Sequence, residues 1–146
     1  MSAVRHIEDI IAAEGVYVST TSGVSMYPMI RDRRDTIIVT PPTGRLKKHD
    51  IPLYRRGDSY VLHRVIRVLP DSYVIRGDNC RLAERGITDS DIIGVLTGFY
   101  RGGRAIDLDG AAYKAYIYLC RASYPFRWVY YSAKMIISAF YRRITK

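Results

Sequence analysis

Sulfur, histidine and long apolar runs are all scarce in this 146-residue sequence, and each scarcity removes a class of protein. Two cysteines, Cys80 and Cys120, cannot build a disulfide framework and lack the paired spacing of a structural zinc site. Two reduced, solitary thiols are expected, with no metal or other cofactor. The longest largely apolar stretch, 128–141, is broken by Lys134 and falls short of the roughly 20 residues that cross a bilayer. Residues 1–14 carry Arg5, Glu8, Asp9 and Glu14 among their apolar positions, which breaks up the core that a secretory signal or membrane anchor needs. The expected location is cytoplasmic, with any membrane contact peripheral.

Acidic residues are missing from one end of the chain. Asp109 is the last of them, while Lys114, Arg121, Arg127, Lys134, Arg142, Arg143 and Lys146 follow, so 111–146 carries seven of the net nine positive charges. The same segment holds ten of the 17 aromatic residues. This contrast divides the chain into a body, 1–110, and a basic, aromatic extension, 111–146.

Within the body, Ile7, Ile10 and Ile11 recur at helical spacing and predict a short amphipathic helix closing at Gly15. Runs rich in β-branched and aromatic residues then follow at 16–21, 36–40, 59–69, 73–76 and 92–100. Arg56-Gly57-Asp58, Pro70-Asp71-Ser72 and Arg101-Gly102-Gly103-Arg104 supply hairpin turn chemistry between such runs. A mainly β body is expected. In the extension, 111–122 and 126–143 read as two helices, with Pro125 suited to the first turn of the second. Such a pair is either a helical hairpin packed on the body or a basic amphipathic element lying on an anionic membrane surface. Nucleic acid is not expected as a partner, because no reading-head motif accompanies the charge.

Three segments carry the residues that could do chemistry. Ser25 follows a strand that breaks at Gly23 and turns at Pro28, which would leave its hydroxyl exposed at a kink. Taken alone, a turn-capping serine is the better account of it. His63 stands inside the otherwise apolar Tyr60-Val61-Leu62-His63-Arg64-Val65-Ile66, where a titratable group needs either a core partner or a task. His6 and His49 read as solvated surface residues. The third segment, Arg76-Gly77-Asp78-Asn79-Cys80-Arg81-Leu82-Ala83-Glu84-Arg85-Gly86, is a polar loop with two acids, Asp78 and Glu84, either of which could orient an imidazole. Structural roles for them are an Asx-type turn at Asp78 and an ion pair with Arg81 or Arg85 at Glu84.

In this order the three segments resemble the type I signal peptidase family, β-rich serine peptidases that remove leader sequences. Ser25-Met26-Tyr27-Pro28 fits the nucleophile box, and His63-Arg64-Val65-Ile66 fits the base box of the endoplasmic-reticulum and archaeal branch, which uses His where most bacterial members use Lys. Gly77-Asp78-Asn79 with Glu84-Arg85-Gly86 follows the third box, with Glu84 where that branch normally has Asp. The resemblance spans about 16–100 and implies a signal-peptidase-like catalytic fold and a serine endopeptidase cleaving a leader, signal or pro-peptide. Ser25 would be the nucleophile, His63 the base, and Glu84 or Asp78 the group that holds the His63 tautomer. An extended substrate with small residues before the cut would contact Val18, Thr20, Gly23, Met26 and Val61. Bacterial members place a Ser oxyanion donor two residues before the nucleophile; Gly23 stands there, leaving Ser22 one further back and the second donor unassigned. A His base implies a rate that rises with pH through an apparent pKa near 6.5.

Two other readings fit parts of the same sequence. One is an autoprotease of the SOS-repressor type, which shares the Ser-Met pair but uses Lys as base and carries a DNA-binding domain, neither visible here. The other is a catalytically silent basic module that binds peptide or membrane.

Overall fold

A computed structural model describes residues 6–144, in two compact units that divide between Leu108 and Asp109. The first unit is mainly β. Helix α1, Ile7–Glu14, ends as its spacing predicts: Gly15 adopts a left-handed conformation (φ 72°) and its amide donates to the Ile11 carbonyl. Ile11 is the one α1 side chain fully withdrawn from solvent.

Strands β1 (Tyr17–Thr20), β2 (Asp35–Thr40), β3 (Pro52–Arg56), β4 (Ser59–Leu62), β5 (Arg64–Val68), β6 (Tyr73–Arg76), β7 (Glu84–Ile87), β8 (Ile92–Arg101) and β9 (Arg104–Ile106) form two antiparallel sheets. The larger runs β1-β2-β8-β3-β4, with β9 paired to β8; the smaller runs β5-β6-β7. All three anticipated turns close hairpins, and both glycines of Gly102-Gly103 take the positive φ that a tight two-residue β connection demands.

The 59–69 run is two strands rather than one. The chain leaves the larger sheet after Leu62 and enters the smaller at Arg64, so His63 is the crossover residue and belongs to neither strand. Periodicity does not reveal the break, because apolar Val61-Leu62 and Val65-Ile66 flank His63-Arg64 within one strand-like run. A buried cluster of Leu46, Tyr54, Val61, Val65, Tyr73 and Ile75 joins the sheets beside that crossover. Burying each large side chain of this kind contributes on the order of 1.5–3 kcal/mol, so the position of His63 is set by packing on both sides.

The second unit is one helix, α2, Ala111–Ile144. The expected helical hairpin is not formed: Pro125 lies inside α2 and does not begin a second helix. Residues 122–124 are Ala-Ser-Tyr, with no glycine to take a left-handed turn, and proline's fixed φ is compatible with a helix even though its missing N–H forfeits a bond to the Arg121 carbonyl. Among the described residues, no helix is long and apolar enough to cross a membrane.

Candidate active site

Antiparallel registry gathers two of the three segments. Arg64 pairs with Arg76 and Ile75 with Glu84, so the start of β5, the end of β6 and the start of β7 lie at one end of the small sheet. His63, the loop 77–83 and Glu84 meet there as a consequence of strand register.

Ser25 sits half-buried in the turn after β1, where Tyr27 and Ile30 amides return to the Val24 and Met26 carbonyls. The loop after β6 pins this turn: the Asn79 amide donates to the Ser25 carbonyl at 2.7 Å and Asn79 Nδ2 to the Val24 carbonyl at 3.1 Å. Gly77 permits the approach. A Cβ at that position would stand 2.7 Å from the Ser25 carbonyl oxygen, 2.7 Å from Cys80 Sγ and 3.0 Å from His63 Nε2. The Ser25 main chain, the His63 ring nitrogen and Cys80 therefore face one point. On the far side of the turn, Asp35, 1% exposed, binds Arg101 at 2.9 Å and accepts the Arg31 amide, which fixes the segment returning to β2.

His63 is held from behind. Its Nδ1 lies 3.2 Å from the Tyr54 hydroxyl and 3.3 Å from Glu84 Oε1, while that hydroxyl donates to the same Glu84 oxygen at 2.7 Å. Burial first, then the Glu84 carboxylate, pushes the Tyr54 phenol far above its ordinary range, so it stays protonated. Its proton faces the carboxylate, its oxygen can only accept toward His63, and Nδ1 must therefore carry the imidazole hydrogen. Nε2 is left with a lone pair on the side of Ser25 and Cys80. Burial lowers the His63 pKa below 6.5, opposed by Glu84, so the ring is neutral at pH 7 and the expected midpoint near 6.5 moves down. Cys80 Sγ lies 4.0 Å from Nε2, and burial pushes its thiol upward, keeping it protonated.

The two acids are separated by role. Glu84 touches His63, whereas both Asp78 oxygens receive Arg64, Nε to Oδ1 at 2.8 Å and Nη2 to Oδ2 at 2.7 Å, in a pair with side chains 5% and 3% exposed. Arg64 Nη2 also reaches Met29 Sδ at 2.8 Å. One guanidinium thus ties the residue after His63 to the loop after β6 and to the segment that follows Ser25.

A cavity of about 440 Å³ opens beside these groups, lined by Ser25, His63 and Cys80 and by both outer strands of the larger sheet, β1 and β4. Of the expected substrate contacts, Thr20, Gly23, Met26 and Val61 line it; Val18, 55% exposed, stands on β1 outside its wall. Gly23 takes a positive φ of 105° and spends its amide on Asp32 Oδ1 at 2.7 Å. The Thr21 hydroxyl is buried in the wall with no hydrogen-bond partner among the described residues. No three His, Cys, Asp or Glu side chains converge as metal ligands among the described residues.

Tyr54, Cys80 and Gly77 escape a sequence reading of the chemistry. Tyr54 lies in β3, a strand that reading omits; Cys80 reads as a solitary thiol; and Gly77 reads as part of a box with no stated task. No protein-family model matches the chain, and no curated protein or solved structure matches it.

Proposed function

We propose that the chain is a serine endopeptidase, with Ser25 as nucleophile, His63 as general base, and Tyr54 and Glu84 as positioning residues. One observation carries this reading: a neutral imidazole, its Nδ1–H fixed by Tyr54 and Glu84, turns its Nε2 lone pair toward the point that the Ser25 main chain also faces. His63 takes the Ser25 hydroxyl proton as the alkoxide attacks a peptide carbonyl, and the imidazolium then protonates the departing amine. Water, deprotonated by the same ring, releases the acyl group from Ser25. The Ser25 amide is the first oxyanion donor, and the unpartnered Thr21 hydroxyl in the wall is open to a bound peptide.

An extended leader or pro-peptide segment suits the cavity because both bordering strands are edges of their sheet, whose main-chain groups can pair with an added strand. We assign the enzyme to the cytoplasmic side, where Cys80 and Cys120, neither in a disulfide, stay reduced.

The test is cleavage of a proteome-derived peptide library, read by mass spectrometry of new N-termini. Ser25→Ala should lose on the order of 10⁶ in kcat. Cys80→Ala is the discriminating control, because its sulfur shares the His63 nitrogen: it should keep cutting. Cleavage that survives Ser25→Ala and disappears in Cys80→Ala transfers the nucleophile to the thiol, and no cleavage by the parent chain leaves the peptide-binding module.

A further inference from the structure

Helix α2 carries an apolar stripe along about two thirds of its length. Tyr118, Ala122, Phe126, Val129, Ile136 and Phe140 follow one another at spacings of three, four or seven, which at 3.6 residues per turn keeps them on one face. The five larger ones are 61–78% exposed. The stripe runs roughly 33 Å at 1.5 Å per residue, longer than the scattered apolar side chains of an ordinary soluble surface.

Charge decides what covers it. Lys114, Arg121 and Arg143 fall along one border of the stripe, Arg127 and Lys134 lie round the helix on its far side, and no acidic residue occurs anywhere in α2. A second copy of the helix laid on this face would bring those bordering cations against an equally cationic helix with no carboxylate to meet them, the reverse of the complementary flanks that paired helices use. Nucleic acid would take the cations and leave the stripe in water. An anionic bilayer satisfies both features at once, receiving the apolar side chains below the headgroups and the cations among them. We infer that α2 lies in the plane of an anionic membrane surface, with the Tyr118–Phe140 stripe buried in the interface. This attachment does not depend on the peptidase reading.

Flotation of the full chain tests it, with phosphatidylglycerol vesicles against phosphatidylcholine vesicles. The chain should float with the first only, less so as salt rises. Replacing both Ile136 and Phe140 by Ser keeps every charge and should cut binding by about tenfold or more; both sites are exposed, so the helix should persist by circular dichroism. Depth gives a second reading. Trp128 is the only tryptophan and stands away from the stripe, so exchanging it with position 126 (Phe126→Trp with Trp128→Phe) moves the fluorophore into the stripe. Bromine on the lipid chains should quench the exchanged protein far more than the parent. Equal quenching at the two positions, binding indifferent to the serines, or self-association in sedimentation without flotation would each overturn the proposal. Ser25→Ala should float like the parent, which separates this result from any failure of catalysis.

Discussion

Burial and the Glu84 carboxylate pull the His63 pKa in opposite directions, and burial is the larger effect. An NMR titration of the His63 ring should therefore give a midpoint below the ordinary 6.5. Glu84→Gln removes the opposing charge while keeping a hydrogen-bonding group, so the midpoint should fall further and the acid limb of cleavage should follow it down. An upward move in that variant contradicts the contact as described. Gly77 sets a separate, steric limit. A methyl group there meets the Ser25 carbonyl oxygen at 2.7 Å, and that atom belongs to the backbone and cannot rotate away. Gly77→Ala should lower stability by about 1–3 kcal/mol, as overpacking does, and should push the Ser25 turn off its Asn79 anchor. Retention of both stability and cleavage would show that the loop has room to retreat.

Two strands and two loops meet at the candidate site through one buried ion pair. Arg64 opens β5 and Asp78 follows β6; with both side chains buried, losing either leaves the other charged and dry. Asp78→Ala should cost about 3–5 kcal/mol by denaturant unfolding. A double replacement by apolar residues of similar size should recover much of that loss, because it leaves no orphaned charge. Sequence reading recognised these residues as a box but left Asp78 and Glu84 interchangeable before His63. What separates them is strand register, which sets Glu84 beside Ile75 and puts Arg64 within reach of Asp78, and no local pattern encodes it. The same limit hid the break at His63: Val61-Leu62 and Val65-Ile66 on either side of it read as one continuous strand. Turn chemistry was legible because it is local, as at Gly15, Gly57 and Gly102-Gly103. Pro125 misled for the opposite reason, since a proline suited to opening a helix also fits inside one when no residue beside it can take the turn.

For the molecule as a whole, the buried neutral imidazole ties folding to pH. In the unfolded chain His63 titrates near its ordinary value, about 6.5, while in the fold burial lowers it. Between the two values the unfolded state binds the proton and the native state does not, so stability must fall as pH drops through that window. Above about 6.5 neither state is protonated at this site and the contribution is whole. Carboxylates confuse the measurement only below about pH 5. Denaturant unfolding at several pH values from about 7.5 down to 5 should therefore show a falling midpoint with an unchanged m-value. His63→Gln, which cannot titrate, should flatten the fall without abolishing it, because other groups also titrate on unfolding. The difference between the two curves belongs to His63 alone. Parallel curves would mean that His63 titrates alike in both states, and the neutral, buried base on which the peptidase reading rests would go with it.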